Sequence, residues 1–337
     1  MKIGRVSQNP LKRSILQQIK TKQENVLVGA GLGEDCAIFS FEKGSCRDEN
    51  DKGVMVSCVL EGTGRVEFLI IDCVNRLASK GAKAVAITLQ ILLPADSQEE
   101  VLKGIMAAAE QTCSALEIQI AQAGGRVSNA VNMPVMTVVS YGVAAEDAPL
   151  HTVKATRPGQ DIVVSKWIAL RGSAVLAREY KEEILKRYPA WIGREAIGFE
   201  QYLSTVKEAA VAIKSGVCTI MNVSEGGILA SCWELAEGAG VGLTIDLKKL
   251  PIRQETVEIC NHLNVNPYEL WSGGCLLMTA QDGQKLVDAL AEEGIVAVIV
   301  GRTTDSNDRL ITNDDEVRYL DRPHEDSLYA KVPEQNF

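Results

Sequence analysis

Aromatic residues are few: Phe, Trp and Tyr together make up 5% of the 337 residues, so small and branched aliphatic side chains must fill most of the core. Histidine is scarcer, with only His151, His262 and His324, widely spaced. That leaves little material for a zinc or non-haem iron centre. None of the nine cysteines (36, 46, 58, 73, 113, 218, 232, 260 and 275) forms a CxxC pair. Most lie in apolar stretches, as Cys73 and Cys275 do, where a reduced thiol packs as a small hydrophobe. There is no apolar run of membrane-crossing length and no apolar leader after Met1, so no membrane association is predicted and a reducing cytoplasm is the expected setting. Clusters of five or more Lys/Arg are also missing, and the net charge is 35 − 44 = −9. Sequence-independent nucleic-acid binding is therefore disfavoured. A local anion site is not, because backbone N–H groups bind phosphate without side-chain charge.

What is present is globular: 46% hydrophobic and 23% charged residues, over a length that suggests about two domains. The polar stretch 145–158, with two prolines, reads as the boundary, giving domains 1–150 and 155–337. In the first, periodicity predicts helices at 8–22, 66–80 and about 99–115. Asp96 or Ser97 is expected to cap the last of these, which should bury an alanine-rich face. Strands are predicted at 26–28, 36–41, 53–59, 84–93, 117–122 and 131–144, with a hairpin loop at 42–52 and a turn at Gly124-Gly125. The second domain reads as strands at 161–165, 217–221, 241–246, 274–280 and 295–300, with a closing pair at 309–312 and 316–320. Its helices are predicted at 169–186, 200–215, 226–238, 252–263 and 283–292. Strands and helices mix without a regular βα period, so two α+β domains fit better than one Rossmann sheet or barrel.

Three glycine-rich segments are candidate ligand loops. Gly29-x-Gly31-x-Gly33-Glu34-Asp35 could cup a phosphate with its N–H groups, Asp35 being available to a divalent ion, or could be a plain turn. Gly226-Gly227 precedes an amphipathic helix that Asn222 or Ser224 could cap; it reads either as an anion site or as an ordinary helix start. Trp271-Ser272-Gly273-Gly274 could hold phosphate or simply turn, and Cys275 beside it reads as core. Lys80, Lys83 and Arg126 could meet phosphates, though isolated basic side chains are usually solvated. The acid-rich stretch 305–326 reads as a solvated hairpin and tail.

The order of these pieces resembles the AIR synthase-like superfamily, which includes aminoimidazole ribonucleotide synthase, selenophosphate synthetase, thiamine-monophosphate kinase and HypE. Gly31-Leu-Gly-Glu-Asp-Cys-Ala is similar to its GxGDDAA opening, and Val74-Asn75-Arg76-Leu-Ala-Ser-Lys-Gly-Ala to its VNDLAxxGA. Gly124-Gly125-Arg126-Val resembles GDTxV, and Arg157-Pro-Gly-Gln-Asp161 resembles KPGD. Met221-Asn222-Val-Ser-Glu-Gly-Gly resembles HDVTRGG, and Asn266-Pro-Tyr-Glu-Leu-Trp-Ser-Gly-Gly a SGG-type turn. The resemblance implies a two-domain fold whose N-terminal sheets pair into a barrel across a homodimer. It also implies ATP and magnesium in the interdomain cleft, where aspartates hold metal and glycine N–H groups hold phosphate.

The departures fall on those aspartates. Asp35 persists, with Glu34 beside it as a catalytic candidate. The Asn-Asp pair is Asn75-Arg76, the Gly-Asp-Thr is Gly124-Gly125-Arg126, the Thr-Thr-Asp stretch falls near Val56-Ser57-Cys58, with Glu61 as a partial substitute for metal, and the His-Asp pair is Met221-Asn222. The C-terminal cysteine of HypE has no counterpart, so its carbamoyl dehydration is not expected. The favoured expectation is a HypE-like homologue with an altered metal site that binds a nucleotide or phosphorylated small molecule. The alternatives are an active Mg-ATP kinase or synthase, and a non-catalytic dimeric interaction protein with an unidentified partner.

Overall fold

The computed structural model describes residues 8–20, 23–24, 26–40, 53–145 and 149–333; the expected loop 42–52 lies outside them. The chain divides into two compact units. One takes Gly31–Glu34 and Leu150–Val332 with the N-terminal segment, and the other takes Asp35–Pro149 with the residues just before Gly31.

The first segment is not the regular amphipathic helix that periodicity predicts. A single turn, α1 (Gln8–Pro10), passes into a π-helical stretch, Leu11–Ile15, and a 3₁₀ turn, Leu16–Gln18. Ile15 and Ile19, the expected apolar face, are exposed. Polar contacts anchor the segment instead: Gln8 Nε2 donates to Glu234 Oε1 at 2.9 Å and Lys12 pairs with Glu237.

The smaller unit is a six-stranded sheet of β1 (Val26–Val28), β2 (Ala37–Ser40), β3 (Gly53–Gly62), β4 (Lys83–Leu93), β5 (Gln119–Val127) and β6 (Val135–Ala145), in the order β1-β2-β3-β6-β4-β5. All neighbours are antiparallel except β4 and β5. A parallel pair needs a crossover, and α3 (Glu99–Ala115) supplies it. Strict alternation buries Val54, Val56 and Cys58 of β3 and Met136, Val138 and Ser140 of β6, on the face against which α2 (Val66–Ser79) packs. Two local expectations are corrected. Gln98, not Asp96 or Ser97, is the α3 N-cap, without a side-chain cap bond, and only Ala109 and Cys113 of that helix are buried. Gly124-Gly125 does not turn: both lie within β5 opposite Gln90 and Ile91. A Cβ on Gly124 would stand 2.8 Å from Gln90 Oε1, so glycine makes room for that side chain while the ladder carries the strand on.

The larger unit has seven strands: β7 (Asp161–Ser165), β8 (Thr219–Asn222), β9 (Gly242–Asp246), β10 (Leu276–Ala280), β11 (Ala297–Thr304), β12 (Arg309–Asn313) and β13 (Glu316–Tyr319). Their order is β13-β12-β9-β11-β7-β10-β8. Helices α4 (Leu170–Glu179), α5 (Lys181–Arg187), α6 (Ala190–Ile197), α7 (Val206–Lys214), α8 (Gly227–Ala239), α9 (Gln254–Leu263) and α10 (Gly283–Glu292) accompany them. The predicted helix 169–186 breaks at Tyr180 into α4 and α5. Helix α6, which periodicity misses, follows Pro189, and residues 198–202 form a 3₁₀ turn ahead of α7. The core sets Ile162, Val164, Leu243, Ile245, Leu277 and Val300 of the sheet against Ile228, Cys232, Trp233 and Leu235 of α8.

Two buried charges tie this unit together. Lys166, at φ +51° just after β7, donates through Nζ to Tyr202 O, Ser204 O and Glu208 Oε1, each at 2.6 Å. Burial lowers its pKa and Glu208 opposes the shift. The second charge corrects the reading of 305–326 as wholly solvated. β13 is exposed throughout, but Asp326 is buried. Its carboxylate accepts from Gly226 N at 2.7 Å and Leu328 N at 2.9 Å. Burial pushes its pKa up to about 7, against these backbone N–H groups, which favour the ionised form.

Replacing one member of a buried ion pair strands the other. Lys166→Met is expected to cost about 3–5 kcal/mol in urea unfolding, and adding Glu208→Leu should recover most of that loss. Because the folded pKa of Asp326 lies above its unfolded value, its stabilising contribution is complete below the ordinary carboxylate value and is lost as pH rises through about 7. Stability should fall by up to about 1.4 kcal/mol per pH unit between the ordinary carboxylate value and about 7, and level off above it. Asp326→Asn should remove this part of the slope when unfolding curves are compared from about pH 4 to about pH 7.

Candidate functional site

Asp35 lies two residues before β2, and Arg76 lies in the last turn of α2. Because α2 lies on the buried face of the sheet, its polar residues there are enclosed: Asn75, Ser79 and Lys80 are all buried. Arg76 Nη1 stands 3.7 Å from Asp35 Oδ1, with both side chains about one-seventh exposed. The Arg76 carbonyl accepts from Cys36 Sγ at 3.4 Å and from Ser79 Oγ at 2.8 Å. Burial alone would lower the Arg76 pKa, but Asp35, Cys58, Asp72 and Cys73 together raise it well above its ordinary value. The guanidinium is a fixed cation. Asp35 Oδ2 is buried and makes no hydrogen bond, so one carboxylate oxygen keeps its full acceptor capacity next to that cation.

Among the described residues, no group of three His, Cys, Asp or Glu side chains is placed to hold a metal. Magnesium needs an octahedral shell of hard oxygens, and the space beside Asp35 Oδ1 faces a guanidinium. Glu61 has a different setting. Its register partner is Thr137, whose Oγ1 donates to Glu61 Oε2 at 3.2 Å. By strand alternation Glu61 points to the sheet face opposite α2. Arg126, paired in register with Leu92, lies exposed on the edge strand β5 and on that same outer face. Asp35 and Arg76 are thus brought together, while Glu61 and Arg126 lie on the other side of the sheet.

The N-terminal glycines have separable roles. Gly29 has room around it: an added Cβ would meet only Val26, at 3.7 Å. Gly33 has φ +76°, and its Cβ would lie 3.2 Å from Glu234 O and Val153 Cγ1. Glu34 N donates to Gly31 O at 3.3 Å, closing a turn. Close packing on α8 therefore already requires glycine at position 33.

The two C-terminal glycine turns satisfy each other. Gly226 and Gly227 both have positive φ, and a Cβ on Gly227 would fall 2.4 Å from Tyr268 O. Neither Asn222 nor Ser224 caps α8. Gly226 is its N-cap, and the Gly226 N–H donates to Asp326 Oδ2. Ser272 is fully buried; its Oγ accepts from Ala169 N at 2.7 Å and donates to Leu270 O at 2.8 Å. Gly273 lies within this turn. Gly274, at φ +98°, packs where a Cβ would meet Tyr202 O at 2.8 Å. Asn222 Oδ1 accepts from Thr205 Oγ1 at 3.2 Å, while its buried Nδ2 has no partner among the described residues.

Sequence reasoning misses Asp326, whose partner Gly226 lies 100 residues away, and the buried Lys80, which reads as an isolated, usually solvated lysine. It also treats Cys36, Cys58 and Cys73 as separate core residues, although they meet beside Arg76. No local pattern marks any of these.

Comparison with known proteins agrees with this architecture. Residues 157–312 match the family described as AIR synthase related protein, C-terminal domain. A putative hydrogenase expression/formation protein of Methanocaldococcus jannaschii is 24% identical over 306 residues, covering 89% of this chain and 88% of that one. Carbamoyl dehydratase HypE of Rhodobacter capsulatus is 23% identical over 295 residues, covering 86% and 82%. HypE in the HypE–HypF complex superposes with a TM-score of 0.71 at 18% identity, over 93% of this chain and 99% of that one. HypE in complex with ATP gives 0.68 at 14%, over 85% and 90%. AaThiL complexed with AMPPCP and TMP gives 0.70 at 17%, over 96% and 98%. At these identities the solved structures establish a shared fold. Residues 157–312 thus form an AIR synthase related C-terminal domain, and the chain as a whole has the α+β fold of the AIR synthase-like proteins HypE and ThiL.

Proposed function

We propose that this protein is a HypE-like homologue that binds a nucleotide or a phosphorylated small molecule at an altered metal site, using Arg76 as the fixed cation where relatives of this fold use metal-holding aspartates. The observation that carries this reading is the enclosed Arg76–Asp35 pair at 3.7 Å. A guanidinium offers several donors in a rigid fork suited to phosphate oxygens. The unpartnered Asp35 Oδ2 is available to accept from a ligand hydroxyl or amino group. Structures of the same fold in complex with ATP and with AMPPCP support nucleotide as the ligand class. A conventional Mg-ATP kinase or synthase is the second reading, favoured by that same unpaired oxygen, which a metal brought in with the nucleotide could also use.

The same reading makes the protein a homodimer. The sheet face opposite α2 carries Met55, Val59, Val139, Tyr141 and Val143, with Val59 61% and Val143 52% exposed. An apolar sheet face of this kind needs a cover, and a second copy of the same sheet supplies one.

Two outcomes test these points. Calorimetric titration with ATP should give binding that persists when divalent ions are chelated and that weakens at least ten-fold in Arg76→Ala. Binding that requires magnesium and is lost in Asp35→Ala but not in Arg76→Ala would favour the kinase or synthase reading. Light scattering should give the mass of two chains for the native protein and of one chain for Val59→Glu combined with Val143→Glu, with circular dichroism unchanged.

A further inference from the structure

Three cysteines distant in sequence converge on the buried side of the smaller unit. Cys36 precedes β2, Cys58 lies in β3 and Cys73 lies in α2; all three are buried, at 6%, 3% and 0% exposure. The antiparallel register ends at the pair Ala37–Ser57, and Cys36 and Cys58 are the next residues beyond that pair on the two chain segments. Cross-strand neighbours have Cα separations of about 4.5–5.5 Å, inside the range a disulfide spans. Cys36, Cys73 and the Arg76 side chain all lie close enough to the Cys58 thiol to lower its pKa. Cys36 and Cys73 have acceptors in Arg76 O at 3.4 Å and Val138 O at 3.8 Å. The remaining buried thiols lack this setting. Cys232, for example, has only burial acting on it, which raises its pKa to about 12, whereas Cys58 is held well below the ordinary thiol value by its two cysteine neighbours, with Arg76 adding to the effect against burial.

From this geometry we propose that Cys36 and Cys58 form a reversible redox pair, oxidised to a cross-strand disulfide by small peroxides. The Cys58 thiolate attacks one peroxide oxygen, the O–O bond breaks, and Cys58 becomes a sulfenic acid as hydroxide leaves. The Cys36 sulfur then displaces the sulfenic oxygen, which departs as water once it has taken up the Cys36 proton. Overall, two thiols and one hydrogen peroxide give one disulfide and two waters. Cys58 is the attacking sulfur because it is the member beside the guanidinium. Cys36 is the resolving one because it lies across the strand, whereas Cys73 approaches from the helix beneath. Low exposure restricts the reaction to an oxidant not much larger than water. Oxidation also removes the thiolate that faces Arg76, so the pair is placed to alter the charge around that guanidinium.

The test uses full-length reduced protein exposed to hydrogen peroxide, alkylated with N-ethylmaleimide, digested and mapped by mass spectrometry. The expected result is loss of two hydrogens from the intact mass and a peptide pair linking Cys36 to Cys58. Dithiothreitol should reverse it, and Cys113, Cys232 and Cys275 should stay reduced. Cys58→Ser should abolish the link, while Cys73→Ser should leave it intact. The wild-type map is decisive by itself should Cys58→Ser fold poorly. A link from Cys58 to Cys73, or three thiols still reduced when Cys232 and Cys275 have been oxidised, would overturn the proposal.

Discussion

A guanidinium enclosed beside a single carboxylate is the constraint on which the smaller unit's chemistry depends. Taking Arg76 out of water is costly unless opposite charge and hydrogen-bond acceptors surround it. Asp35 stands at 3.7 Å, and Asp72 and the Cys58 and Cys73 thiols add negative potential. That network fixes the end of α2 against the start of β2. It also sets the sign of the site. A cluster of aspartates attracts a divalent cation, which then meets phosphate, whereas an arginine in their place meets phosphate directly. On the proposed function, Arg76 thus sets what the site can hold, while α2 and the sheet present it.

The larger unit shows the opposite economy. Its glycine turns look like phosphate loops in the sequence, yet the structure gives each a local structural reason. Gly227 passes within a methyl group's reach of Tyr268 O, Gly274 passes Tyr202 O, and Ser272 spends both hydroxyl functions on backbone partners. Asp326 places a carboxylate on the N–H of Gly226, where a bound anion would otherwise find a donor. Asn222 keeps a buried Nδ2 with no partner among the described residues.

Much of the fold was legible because burial imposes period 2 on strands and period 3.6 on helices. The limits of α2, β4, β7, α10 and the β12–β13 hairpin fall within a residue or two of their predicted positions. The failures occur where a distant partner overrides the local signal. Gly124-Gly125 is extended because β4 lies alongside it, and the N-terminal segment is held by Glu234 and Glu237 rather than by its isoleucines. Asp35 and Arg76 stood out as a retained and a replaced member of one motif set, but sequence spacing does not reveal that they touch. Asp326 and the three thiols were invisible for the same reason: their partners are brought to them only by the finished fold.

The most direct test of the central claim is a crystal structure with a non-hydrolysable ATP analogue, grown in chelator and then soaked in manganese, with anomalous scattering used to locate the metal. The account predicts a phosphate oxygen within hydrogen-bonding distance of the Arg76 guanidinium before the soak, and no manganese bound to Asp35 after it. Manganese on Asp35 bridging to the phosphates, with Arg76 turned away from them, would contradict it.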